Sequence, residues 1–303
     1  MAARSRHAGR NAVRYCGRHF SDAEITTIRR LIEDHPNATR YALSWQACEL
    51  LGWRRPNGQR KDMSCRVAML RMHEHGVITL PPPRTRNGNG KRVVRRSAQA
   101  EPAVPLHAAS PREIGPLLLE PIQGPSASLL YNEYLDRYHY LGYQPLPGDQ
   151  QRYFVRAAGV IVALLGFGAA AWKCRPRDDS IGWQPKQREQ RLHRIVNNAR
   201  FLILPWVHCP NLASAILARA AKRLPNDWQQ RYAYQPVLLE TFVELPRFLG
   251  TAYQAANWQR VGQTQGRGKL DVHHRAALPR KSVWLYPLRR DFRRILCARN
   301  LST

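Results

Sequence analysis

From Ile114 onward, short apolar runs of strand character alternate with segments of helical periodicity. That alternation commits the larger part of the chain to an α/β architecture, a mixed sheet with flanking helices. Asn132 to Tyr140 is helix-like and aromatic. Arg152–Val155 and Val160–Phe167 read as strands around Ala157-Ala158-Gly159, a hairpin. Gln187–Leu192 is helical, and Arg194–Val196 and Phe201–Leu204 are strand material. Asn211 caps a helix to about Arg223, with Leu212, Ile216, Leu217 and Ala220 inward. Pro236–Val243 is an apolar strand broken only by Glu240 and Thr241. Ala252–Trp258 is a short helix, the glycine-rich Gly262–Gly268 follows, and Val283–Leu288 is a last strand. No internal repeat is visible.

The N-terminal part is different. Ser21 and Glu24 form a capping box ahead of Ile25, Ile28, Leu31 and Ile32 on one helical face, which Pro36 ends. A second helix fits Arg40–Leu51 and a third Lys61–His75, with Met63, Val67 and Leu70 inward. Val77, Ile78 and Leu80 then form a short strand, stopped by Pro81-Pro82-Pro83. Three helices and a strand are the outline of a winged helix-turn-helix whose third helix enters the major groove. Lys61, Arg66 and Arg71 on that helix, and Arg54, Arg55, Asn57 and Arg60 before it, are the candidate DNA contacts. The bland alternative is a three-helix bundle with a solvated basic face. The expected organisation is a reader over residues 1–83, a basic, Ala/Pro-rich linker over 84–112, and a mixed α/β domain over 113–303 with a basic tail.

Charge selects the partner. The 303 residues hold 48 Lys and Arg against 21 Asp and Glu, a formal net charge of +27. Such an excess repels itself unless an acidic partner neutralises it, and nucleic acid is the default partner. An anionic membrane surface is the competing reading. The longest apolar run, Ala157–Trp172, carries three glycines and falls short of the ~20 residues that a membrane helix needs. Met1–Phe20 is polar and basic, without a signal-peptide core. The expectation is a cytoplasmic, nucleoid-associated protein that binds single- or double-stranded DNA, with a homodimer or a defence or transposition protein as further partner. The six cysteines show no C-x-x-C spacing, so a zinc site is not indicated.

Four clusters can carry chemistry. In Tyr138-His139-Tyr140-Leu141-Gly142, His139 and Tyr138 can assist proton transfer and the tyrosines can stack on bases, or the stripe is core. Asp178 and Asp179 can hold Mg²⁺ or Mn²⁺, or a turn. Glu240 is an acid in an apolar strand, costly to bury without a partner. It faces either a metal shared with Asp179, as in phosphodiester chemistry, or an arginine, with Arg177 or Arg200 available. Asn257, Trp258, Thr264, Arg267 and Lys269 lie in or beside a glycine-rich loop that can approach a phosphate, as can Arg200.

Tyr138–Gly142, Ile181-Gly182-Trp183, Asn198–Pro205, Asn211–Ser214, Glu240–Val243 and Gly250–Trp258 with Gly262 and Thr264 resemble the DruA-like family. It is named for a subunit of the Druantia anti-phage system, and its members also occur alone or joined to transposase domains. The likeness runs from about Tyr131 to Lys269, and Trp53, Pro56–Gly58 and Arg66 resemble the reader that often precedes it. It implies phage defence or mobile-element DNA transactions without fixing a reaction. A fainter resemblance is to GNAT acetyltransferases, over Phe201–Leu204, Asn211–Arg223, Pro236–Val243 and Tyr253–Gly262. It implies a GNAT-like mixed sheet. The stretch His208–Ser214 has no glycine where those enzymes cradle coenzyme A, which argues against that cofactor. Three readings follow: metal-dependent phosphodiester cleavage or strand transfer, DNA binding without catalysis, and acyl transfer.

Overall fold

Two units make up the computed structural model, residues 1–92 and 93–303. It describes residues 13–55, 58–84, 94–267 and 278–298. Asn57 and Lys269 of the expected DNA contacts, and Arg86, Lys91 and Arg92 of the basic run, lie outside the described residues.

In the first unit a hairpin precedes the helices. Its strands β1 (Val13–Tyr15) and β2 (Arg18–Phe20) join through Cys16 and Gly17, both at positive φ, 49° and 79°. Two positive-φ residues match a tight turn to the twist of a hairpin. Helix α1 (Asp22–Asp34) begins with the expected capping box of Ser21 and Glu24. Thr39 caps α2 (Arg40–Leu50), accepting the Ala42 N–H at 3.0 Å. The third helix, α3 (Asp62–Glu74), buries Cys65, Ala68, Met69 and Met72, not the expected Met63, Val67 and Leu70, which are exposed. Both sets repeat at helical spacing, and they lie two residues, or about 200°, apart around the helix. Facing it, α2 buries Leu43, Ser44, Ala47 and Cys48.

No strand follows α3 among the described residues of the first unit. Gly76 takes φ 71°, and the N–H of Val77 turns back to the Met72 carbonyl at 2.8 Å, closing the helix end. The wing expected from Val77, Ile78 and Leu80 therefore does not form there.

The second unit is a seven-stranded mixed sheet flanked by helices, in the order β10-β11-β9-β7-β6-β5-β4. In chain order its elements begin with β3 (Leu106–His107), α4 (Pro111–Ile114), β4 (Leu118–Pro121) and α5 (Gly124–Tyr138). β5 (Gln151–Ala157) and β6 (Val160–Ala169) form the expected hairpin, its turn at Ala158 and Gly159 with φ 47° and 79°. Then come α6 (Arg175–Ile181), α7 (Pro185–Arg191), β7 (Ile195–Ile203), β8 (Val207–His208) and α8 (Leu212–Tyr232). β9 (Leu238–Glu244), α9 (Thr251–Ala255), β10 (Gln259–Gln263), β11 (Lys281–Pro287) and α10 (Phe292–Leu296) close the chain. All pairings in the sheet are antiparallel except β7 with β9.

Both faces of the sheet are covered. Tyr153 of β5 donates its hydroxyl to Asp227 of α8 at 2.8 Å, and its neighbour Phe154 packs on Tyr131 and Tyr134 of α5. Successive strand residues point to opposite faces, so α5 and α8 lie on opposite sides. That is why Val162 to Phe167 of β6 reads as one unbroken apolar run with Gly166. Helix α8 runs past Arg223 to Tyr232, with Pro225 inside it. Leu224, Trp228 and Tyr232 continue its buried stripe, and that packing outweighs the backbone bond that proline removes. Asn211 sits at its N-cap at φ 62° with no side-chain cap bond.

The Ala/Pro-rich half of the expected linker is packed into this unit. The backbone and side chain of Ser97 donate to Glu133 at 2.6 and 2.7 Å. Tyr134 and Tyr138 donate to the carbonyls of Gln99 and Ala100, and β3 pairs with β8. Among the described residues no helix is long and apolar enough to cross a membrane.

Candidate functional site

The parallel neighbours β7 and β9 pair only from Ile195–Asn197 to Leu238–Glu240, and then part. Between the separated halves lies a cleft of about 590 Å³. One wall is Asn198 to Ile203, the other Thr241 to Glu244, with Tyr138–Leu141 at the end of α5 and Phe248–Tyr253 around α9 at its margins. Each strand hydrogen-bonds its outer neighbour, so the facing edges carry backbone groups that no strand satisfies. The base of the opening is tied across: Thr241 Oγ1 donates to the Asn198 carbonyl at 2.9 Å, and Tyr253 Oη donates to Asn198 Oδ1 at 2.8 Å. Burial pushes the Tyr253 hydroxyl up to about 12, so it serves there as a proton donor. Gly250, at φ 81°, starts α9 against the face of Trp284, where a Cβ would stand 2.6 Å from the indole.

Four segments far apart in sequence meet here: Tyr138–Gly142, Asn198–Pro205, Glu240–Val243 and Gly250–Trp258, all among those that carry the DruA-like resemblance. His139 and Arg200, expected in different roles, are brought together. His139 is almost fully buried, its Nδ1 accepting the Leu141 N–H at 3.2 Å. Burial, helped by the nearby Arg200 charge, lowers its pKa to about 4, so the imidazole is neutral. Tyr138 is held by the core, its hydroxyl donating to the Ala100 carbonyl at 2.7 Å and its ring edge-on to Trp206. Tyr140 stacks on His139 with ring centroids 4.9 Å apart and meets Phe248 edge-on at 5.2 Å.

Glu240 is not in the cleft. It lies on the stretch of β9 still paired with β7, before the strands part, where it is fully buried and faces an arginine. Arg177 Nη1 donates to Glu240 Oε2 at 2.8 Å, and the Ala171 N–H donates to Oε1 at 2.7 Å. Arg177 also grips Asp178, which takes the Trp183 indole N–H at 3.0 Å. Burial works against the charge on Arg177, but the two carboxylates outweigh it and hold its pKa above the usual guanidinium value. Asp178 and Glu240 thus share a guanidinium where a metal was expected. Asp179, the other expected ligand, points to solvent beside Arg175 at 3.4 Å. Among the described residues no three His, Cys, Asp or Glu stand together in a way that could hold a metal ion.

The remaining expected contacts are scattered. Trp258 is buried against Tyr253 and Tyr286 and offers no open stacking face, whereas Asn257 and Arg267 are exposed. Thr264 Oγ1 accepts the Lys281 N–H at 3.0 Å. In the first unit, Arg54 and Arg60 are both drawn to Glu49, and Arg60 lies 3.7 Å over the Trp45 ring. The Arg55 N–H donates to the Gln59 carbonyl at 2.7 Å. Lys61, Arg66 and Arg71 have no carboxylate partner among the described residues, and they sit on the helix that exposes Met63, Val67 and Leu70. Asn197, Thr241, Phe248 and Tyr253 were not singled out from sequence. Their signal was positional, as members or neighbours of the resemblance segments.

Fold and site together define an α/β protein whose mixed sheet opens into a ligand-sized cleft where its two parallel strands part. The chain belongs to the DruA family: the family model described as Druantia protein DruA matches residues 72–277. No curated protein matches it. Solved structures with some likeness are acetyltransferases. A spermidine N-acetyltransferase chimera from Vibrio cholerae is 12% identical with a TM-score of 0.35, covering 57% of this chain and 95% of its own. The ribosomal-protein-S18-alanine N-acetyltransferase of Escherichia coli is 7% identical with a TM-score of 0.35, covering 57% and 94%. An acetyltransferase of Staphylococcus aureus Mu50 is 12% identical with a TM-score of 0.30, covering 46% and 68%. No residue role is carried over from them.

Proposed function

We propose that this chain is a DNA-binding component of phage defence, whose first unit docks on nucleic acid through the exposed face of α3. Membership of the DruA family supports the defence role. The observation that carries the binding role is the division of charge in the first unit. Glu24 is spent on Arg18, and Glu49 on Arg54 and Arg60, while Lys61, Arg66 and Arg71 have no acid among the described residues. Cations without an internal counter-ion are available to phosphate oxygens, and the apolar Met63 and Val67 beside them suit thymine methyl groups. The guanidinium between Asp178 and Glu240 favours binding over metal-dependent cleavage.

The test is affinity for a duplex as a function of salt, for the full chain and for Arg66→Ala with Arg71→Ala. Each phosphate contact removed reduces the log–log salt slope by about one. Unchanged affinity and slope in the double variant would discard the α3 face. Nicking with Mg²⁺ or Mn²⁺ would restore the catalytic reading.

A further inference from the structure

Two buried polar atoms along the cleft's inner wall have no partner in the fold: Arg200 Nε, a donor, and Asn197 Oδ1, an acceptor. The Arg200 guanidinium donates through Nη1 to the Ala199 carbonyl at 2.7 Å, and no carboxylate among the described residues pairs with it. Burial pulls its pKa below the usual guanidinium value, with Tyr131 and Tyr140 as the opposing neighbours. A desolvated guanidinium without a counter-ion is costly, and an anion entering beside it recovers that cost. Around the mouth the rim is apolar and open. Tyr140 is 38% exposed, Phe248 45% and Leu249 74%. Arg247 stacks over Tyr140 at 5.1 Å and holds Glu244, the acid that lines the cleft, at 3.6 Å. The site therefore offers a cation, a buried acceptor on the same strand, and an aromatic rim, within a volume suited to one small ligand.

The geometry points to a phosphorylated nucleoside as the cleft's ligand, with its phosphate on Arg200, its base on Phe248 beside the edge of Tyr140, and a hydroxyl or amino donor toward Asn197 Oδ1. An aromatic shelf accepts any base face, and the guanidinium fork matches phosphate oxygens. The same chemistry is available from a free nucleotide or from the unpaired end nucleotide of a strand. This inference is independent of the α3 reading, because it concerns the second unit alone.

The experiment is calorimetric titration of the full chain with deoxyadenosine 5′-monophosphate, with deoxyadenosine, and with a trideoxynucleotide bearing or lacking a 5′-phosphate. The monophosphate is expected to bind at least about tenfold more tightly than the nucleoside, as a charge-assisted contact implies. Arg200→Gln should erase that difference. Phe248→Ala, on the exposed rim, should weaken nucleotide and nucleoside alike. Tighter binding of the 5′-phosphorylated trinucleotide than of the monophosphate identifies a strand end as the source, and equal binding identifies the free nucleotide. Three results would overturn the assignment: equal affinity for nucleotide and nucleoside, indifference to both substitutions, or no heat from any of the four ligands at millimolar concentration. Repeating the titration in the Arg66→Ala, Arg71→Ala background separates it from the reader, since loss of duplex binding there leaves nucleotide binding unchanged.

Discussion

Arg177 and Glu240 form an ion pair with no solvent exposure on either side chain, Nη1 standing 2.8 Å from Oε2. Each lies where its charge would otherwise be untenable, Glu240 in an apolar strand and Arg177 beneath Trp183. Pairs of this kind contribute little net stability when made, because desolvation offsets attraction, yet are costly to break. Glu240→Leu and Arg177→Met should each destabilise the second unit by about 3–5 kcal/mol, and the two together should recover most of that loss. Urea unfolding of the four proteins of this cycle measures it. A Glu240→Leu protein with unchanged stability but lost metal-dependent nicking would mean that the carboxylate serves an ion and not Arg177.

The exposed stripe of α3 makes a sharp contrast with its buried one. Met69 is 2% exposed and Val67 37%. Met69→Ala should cost about 2–5 kcal/mol through the cavity it leaves, whereas Val67→Lys should change stability by no more than about 0.5 kcal/mol. If α3 were turned as the larger apolar residues alone suggest, the two results would exchange. Thermal unfolding of both variants decides, and Val67→Lys is also a probe of the DNA face, since its new cation should strengthen duplex binding at low salt.

Much of the fold was legible because burial writes periodicity into the chain. The β5–β6 hairpin, the capping box at Ser21 and the start of α8 follow from patterns a few residues long. The rotation of α3 did not, because two apolar stripes compete on that helix and only its packing against the rest of the unit separates them. The continuation of α8 through Pro225 was hidden for a similar reason, since Trp228 and Tyr232 need the sheet beneath them. At the site, Glu240 announced itself as an acid requiring a partner, and Arg177 was one of the two arginines named for it. Sequence could not separate Arg177 from Arg200. One lies at the start of α6 and the other on β7, and only the sheet assigns the first to Glu240 and the second to the cleft. The cleft itself arises from strands parting, which leaves no local mark.

His139 gives the cleft a pH dependence. Its imidazole is held neutral down to about pH 4 by burial and by Arg200, whereas an unfolded histidine titrates near 6.5. Between those values the unfolded chain binds the extra proton, so this residue takes stability away as pH falls from about 6.5 to about 4 and has no effect above that window. Protonation would also break the Leu141 N–H bond, because Nδ1 is its acceptor. His139→Gln should therefore flatten the stability profile below pH 6.5 while leaving pH 7.5 comparatively little altered, as followed by urea midpoints at pH 7.5 and 5.0. An equal loss in both proteins across that interval would show that the imidazole titrates normally. An anion seated on Arg200 removes the repulsion that helps keep His139 neutral. Saturation with deoxyadenosine monophosphate should accordingly raise the His139 pKa, visible as an upfield-to-downfield shift of its ring Cε1 proton beginning at higher pH than in the free protein.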